Sequence, residues 1–212
     1  MAKRSRKPTD DRLLDTAIEQ FGRNGLEGAS TRAIAAAAGT AMSSITYHYG
    51  GKEGLYLAAA RRIAEQIAER LAGTLQGAPD PDELDAEGAL AQILALADAA
   101  LGLMLSPESA SWSRFIIREQ AEPTEGFQIL WDRVMGPVTS RLVRLVQRAS
   151  AARLRPLEAR VRAITLFGQV LVFRVARAAA LRVTGWSDIG PPQATEIRCV
   201  LHTQVRAIVT AS

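Results

Sequence analysis

Apolar residues recur at every third or fourth position along most of the chain, the spacing that puts one face of an α-helix against a core. Leu13, Leu14, Ala17, Ile18 and Phe21 form the first such stripe, which starts at Thr9 or Asp10 and stops at Asn24 and Gly25. Two short segments follow, one with Ile34, Ala35 and Ala38 on its inner face and one with Ile45 and Tyr49. Leu55, Ala59, Ile63, Ile67, Leu71 and Leu75 then recur every fourth residue, predicting one long helix over 52–75 with a boundary at Gly77 and Pro79.

Beyond that boundary the pattern stays helical. Asp80, Pro81 and Glu83 read as a capped start, with proline at the first helical position, and Leu90, Ile93, Leu94, Ala97, Leu101 and Met104 as the apolar side. Ser106, Pro107 and Glu108 repeat the start signal for a helix holding Trp112, Phe115, Ile116 and Glu119 and stopping before Pro123. A longer helix from Thr124 carries Phe127, Leu130, Trp131, Val134, Val138, Leu142 and Leu145, with a kink expected at Pro137. The last two helices are placed at 157–183 and 192–210. The first is apolar almost all round between Ala163 and Val175, so it has to be covered on every side. No strand pattern or internal repeat is visible. The class expected is all-α.

The stretch 30–55, STRAIAAAAGTAMSSITYHYGGKEGL, has the most specific local chemistry. Ser30 or Thr31 can cap a first short helix by accepting its unpaired N–H groups. Gly39 supplies a left-handed turn that ends it. The second helix leaves Thr40, Met42, Ser43, Ser44, Thr46, Tyr47 and His48 outside. Short hydrogen-bonding groups on such a helix suit entry into a DNA major groove about 12 Å wide. Taken alone, the alanine run 33–38 is merely a good helix former. The spacing of Gly39, Tyr47, His48, Tyr49, Lys52 and Glu53 is what adds specificity.

Thr31, Ile34, Ala35, Gly39 and the run YHYGGKEGL at 47–55 resemble the DNA-binding domain of TetR-family transcriptional regulators. The likeness is specific over residues 11–57 and architectural beyond them, and ITYHYGGKEGLYLA is similar to the CecR-like subgroup. The resemblance implies a helix-turn-helix domain over 9–55 after a basic disordered arm over 1–8, joined by the long helix to an effector-binding and dimerisation domain over 56–212. It implies that Thr40, Met42, Ser43, Ser44 and Thr46 face base edges, and that Thr31, Tyr47, His48 and Lys52 hold phosphates. It also implies a homodimer through 157–183 and 192–210 on a near-palindromic double-stranded operator. The chain departs from the commoner pattern where Thr40 replaces valine, Thr46 replaces tyrosine, and Gly51 replaces a serine or threonine cap.

Charge supports this division. The net charge is +4, and Lys3, Arg4, Arg6 and Lys7 form a basic arm beside the DNA module. Between Arg133 and Arg182 arginine dominates, with Glu158 the one carboxylate, a distribution read as solvated helix faces and part of a dimer rim. Cys199 is the single cysteine, so no intrachain disulfide is available, and it reads as a packed thiol. No signal-peptide pattern opens the chain, which points to the cytoplasm. The apolar run 163–173 is too short for a bilayer, so no membrane partner is expected.

His48 and His202 are far apart, no phosphate loop or carboxylate pair stands out, and no cofactor or catalytic residue is indicated. Met104, Trp112, Phe115, Ile116, Phe127, Trp131 and Met135 are the candidates for lining a hydrophobic effector pocket. Core packing is the alternative for each of them. Arg114, Arg118, Glu119 and Gln120 are polar candidates for orienting the effector, or else surface residues. An effector-independent DNA-binding protein, or an enzyme built on the C-terminal helices, are the competing functions.

Overall fold

The computed structural model describes residues 8–151 and 153–210. Their helices are α1 (Pro8–Gly28), α2 (Thr31–Ala38), α3 (Met42–Tyr49), α4 (Lys52–Leu75), α5 (Ala86–Leu105), α6 (Ser109–Ala121), α7 (Glu125–Leu130), α8 (Gly136–Ala149), α9 (Pro156–Val175), α10 (Arg177–Thr184) and α11 (Pro191–Thr210). No strand occurs among the described residues. The chain is all-α, with an N-terminal helix-turn-helix. Lys3, Arg4, Arg6 and Lys7 lie outside the described residues, and α1 already begins at Pro8, where a fixed φ suits a first helical position.

The helices gather into two compact units, and neither is continuous in sequence. One comprises Met1–Gln66 and Ala110–Val134, the other Ile67–Ser109 and Met135–Ser212. In the first, the α1 stripe from Leu13 to Phe21 is buried with Ile34 and Ala38 of α2, Ile45 of α3, and Leu55, Ala59 and Ile63 of α4. Trp112 and Phe115 of α6 and Leu130 of α7 are buried in the same unit.

The second unit is built on α5, which packs against α8, α9 and α11. Ile93 and Leu101 meet Leu145 and Val146, Ala163 and Leu166, and Leu201 and Val205 in one core. α5 has the length and apolarity of a membrane span. Three packed helix partners account for that apolarity, as in the core helix of any helical bundle. Asp98 of α5 also fixes α11, lying 2.8 Å from His202 Nε2 and forming an ion pair with Arg198 Nε at 3.2 Å.

Four sequence readings are corrected. Asp80 and Pro81 open only a single 3₁₀ turn, in which Asp80 accepts from the Asp82 N–H at 2.9 Å; the cap of α5 is Asp85, which accepts from the Gly88 N–H at 2.7 Å. The helix expected over 157–183 is two helices, α9 and α10, bent by 85° at Ala176. The helix from Thr124 is interrupted by a widened, π-type turn at Trp131–Met135, just ahead of Pro137. Cys199 is exposed, because the buried stripe of α11 is Ile197, Leu201, Val205 and Val209.

Asp85→Ala is expected to destabilise the protein by about 1 kcal/mol in denaturant unfolding, the usual worth of an N-cap. Asp82→Ala, which leaves that cap intact, is expected to change stability less.

Candidate nucleic-acid interface

Local hydrogen bonding shapes the two short helices. Ser30 Oγ accepts from the Ala33 N–H at 3.3 Å, capping α2. Gly39 ends it at φ 63°, ψ 37°, a left-handed conformation that costs a residue with a side chain extra energy. Its N–H bonds Ala36 O at 3.1 Å, and the Thr40 N–H bonds Ala35 O at 2.9 Å. These bonds close the turn from which α3 starts. Ala41, at the N-cap position of α3, makes no side-chain cap bond.

α3 turns Ile45 into the core and leaves Ser43 and Tyr47, four residues apart, on the opposite side. Met42 is 53% exposed and Tyr47 85%. Ser43, Thr46 and His48 are exposed, while Thr31, Thr40, Ser44 and Lys52 are half-buried. The His48 ring lies edge-on to Tyr47, with centroids 4.9 Å apart. The candidate residues of α3 therefore form one surface, with Thr40 at its head. Lys52 stands apart from them in one respect: its ammonium donates to Glu27 O at 2.9 Å, tying α4 to the end of α1. An ammonium has two further donors for a phosphate.

The joint between α3 and α4 explains a glycine to which the sequence pattern assigns no role. A Cβ at Gly54 would stand 1.7 Å from the Tyr49 carbonyl oxygen. The first turn of α4 thus rests directly on the end of α3. The Gly51 carbonyl accepts the Leu55 N–H at 3.1 Å, so α4 opens through the main chain where the family pattern uses a side-chain cap.

α6 and α7 complete this unit from distant sequence. Arg118 Nε donates to Gly22 O at 3.0 Å and Nη2 to Arg23 O at 2.8 Å, satisfying carbonyls of α1 just before it breaks at Gly25. The Tyr56 ring meets Phe21 edge-on at 4.9 Å and stacks on Phe115 at 4.6 Å. The Tyr56 hydroxyl donates to Glu119, a carboxylate only 1% exposed. Thr124 supplies two more donors to Glu119, its hydroxyl at 2.9 Å and its N–H at 3.2 Å. Burial, then the bond to Glu119, push the Tyr56 phenol well above its ordinary value of 10.0. Glu119 is thus neither a surface residue nor free to orient a ligand.

The seven effector candidates are divided. Trp112, Phe115, Ile116, Phe127 and Trp131 belong to the first unit, Met104 and Met135 to the second. Phe115 is a core ring stacked on Tyr56. Phe127 and Trp131 stack on each other at 6.1 Å, and Trp131 remains 42% exposed. Among the described residues no group of His, Cys, Asp and Glu is arranged to hold a metal ion.

Residues 13–59 match the family model for bacterial regulatory proteins of the tetR family, and residues 89–212 match the C-terminal domain of the HTH-type transcriptional dual regulator CecR. The chain belongs to the TetR family. The CecR dual regulator of Shigella flexneri is 34% identical over 182 residues, covering 82% of this chain and 79% of that protein. The fold recurs in AibR, solved in complex with isovaleryl coenzyme A and operator DNA, with a TM-score of 0.66 at 19% identity, covering 92% of this chain and 97% of that one. It recurs in FadR from Bacillus subtilis in complex with stearoyl-CoA, with a TM-score of 0.63 at 16% identity, covering 96% and 99%. This TetR-family chain is a CecR-like DNA-binding transcriptional regulator.

Two outcomes follow from the packing of its head. Gly54→Ala is expected to separate α3 from α4 and abolish duplex binding while the second unit stays helical, as followed by DNA titration and circular dichroism. The folded-state phenol of Tyr56 titrates above its unfolded value, so its stabilising contribution is complete below pH 10 and is lost as pH rises beyond it. Alkaline unfolding is therefore expected to be steeper in wild type than in Tyr56→Phe.

Proposed function

We propose that this regulator binds a near-palindromic operator as a homodimer, represses from it in the cytoplasm, and is released by a small hydrophobic effector. The observation that carries the reading is the outer surface of α3, where Met42, Ser43, Thr46 and Tyr47 stand exposed on a helix without a single carboxylate. Thr40, Met42, Ser43, Ser44 and Thr46 face base edges. With no Arg, Asn or Gln among them, discrimination rests on hydroxyl contacts and on apolar contact with thymine methyls, Met42 foremost. Thr31, Tyr47, His48 and Lys52, with Lys3, Arg4, Arg6 and Lys7 of the arm, hold the backbone.

Dimerisation is supported by α9. Leu157, Val161, Ile164, Val172 and Val175 are 70%, 52%, 64%, 43% and 56% exposed, and they fall at helical spacing around Gly168, beside Phe167. An uncovered apolar stripe of this length suits a second copy of the same helix, and the open space at Gly168 admits a close approach. α11 adds Val200, 49% exposed.

Effector control is supported by the acyl-CoA complexes of two fold neighbours. Trp112, Ile116, Phe127 and Trp131, all within the first unit, are the residues assigned to the effector; Phe115 acts through the core. Release works by population shift: an effector that prefers the arrangement with the reading helices misplaced draws the protein off DNA. α4, with residues 52–66 in the first unit and 67–75 in the second, carries the change. Turning a population from mostly bound to mostly released takes roughly 5.5 kcal/mol of differential affinity.

Footprinting across the region beside the protein's own gene is expected to show a symmetric protected site, lost in the Tyr47→Ala, Lys52→Ala double variant. An asymmetric or absent footprint would overturn the dimeric operator reading. Ile164→Glu is expected to yield folded monomers with operator affinity reduced by two orders of magnitude or more, as read by sedimentation and titration. Trp131→Ala is expected to leave operator binding intact and blunt release by isovaleryl- or stearoyl-coenzyme A. Unchanged occupancy across acyl-CoA and hydrophobic drug panels would instead favour effector-independent binding.

A further inference from the structure

α1 carries Asp11, Arg12 and Asp15, and the spacing of Arg12 and Asp15, three positions apart, is one at which a helix commonly forms an ion pair. The fold does otherwise. Both carboxylates lie nearest Arg62 of α4, at 3.3 and 3.8 Å. Among the described residues Arg12 has no carboxylate at ion-pair distance, and its side chain is exposed.

Its guanidinium is not adrift, however. It lies over the turn between α2 and α3: a Cβ added at Gly39 would stand 2.6 Å from Arg12 Nη2 and 3.5 Å from Cζ. Gly39 directly precedes Thr40, and Met42 opens the reading helix two positions later. A cation outside ion-pair distance of any described carboxylate is therefore seated at the edge of the surface formed by α3. A planar guanidinium at such a place fits the two free oxygens of a phosphodiester. We propose that Arg12 grips a phosphodiester of the operator strand that passes the α2–α3 turn, and so sets the depth at which α3 enters the groove. This inference rests on the DNA-binding reading above, and it assigns Arg12 to positioning, not to base selection.

The test uses full-length wild type, Arg12→Ala and Arg12→Lys, titrated with the footprinted operator and with an unrelated duplex over a series of salt concentrations. Arg12→Ala is expected to weaken both duplexes roughly tenfold and to lower the salt slope by about 0.9 for each phosphate it no longer neutralises, with base preference unchanged. Arg12→Lys is expected to recover most of the slope. Circular dichroism and the unfolding midpoint serve to separate a weakened grip on DNA from a damaged fold. If wild type binds with a steep slope and Arg12→Ala keeps that slope, Arg12 only packs on Gly39 and the proposal fails. If Arg12→Lys falls as far as Arg12→Ala with an unchanged slope, the proposal also fails. Absence of any salt-dependent duplex binding by wild type would overturn the DNA-binding reading itself, and this inference with it.

Discussion

A carboxylate can be taken out of water only where donors replace the lost hydration. Glu119 meets that condition through the Tyr56 hydroxyl and the hydroxyl and N–H of Thr124. The three donors come from α4 and from the cap of α7, so satisfying one side chain fixes where α4, α6 and α7 lie within their unit. The Tyr56 ring extends the arrangement to α1 through Phe21 and to α6 through Phe115. Gly126 allows it sterically, since a Cβ there would come within 3.0 Å of Tyr56 and 3.2 Å of Glu119. Removing one partner of such a group costs more than the bond itself is worth, because the remaining polar atoms stay buried. The position of α3 depends on this network through α4.

The helix-turn-helix was legible because its signals are local. Ser30, Gly39 and the glycines after Tyr49 act within four residues of themselves, and each does in the structure what its chemistry suggests. The long helix was read with equal accuracy from a four-residue recurrence that nothing interrupts. The attachment of α6 to the head was not legible, since Tyr56 and Glu119 are 63 positions apart and neither residue announces a partner. Glu119 looked like a surface residue for the same reason.

Other misreadings have similar causes. Asp80 and Asp85 both precede plausible helix starts, and only the course of the following chain decides which acts as the cap. At Ala176 no proline or glycine marks the break between α9 and α10; beyond it, Arg177 meets Asp188 outside the helix. Residue types and spacing sufficed to place α3 and its exposed side. They did not show that Lys52 also anchors α1, or that Asp11 and Asp15 lie beside Arg62 of α4.

Glycine is usually taken as a loose point in a chain. Gly54 acts in the opposite sense. With the Tyr49 carbonyl occupying the space where a side chain would begin, the two helices meet backbone to backbone, and there is nothing compressible between them. Neither can pivot on the other without opening a direct main-chain contact. α3 and the start of α4 thus behave as a single stiff bracket, and a displacement applied to α4 is handed to α3 without side-chain rearrangement to absorb it.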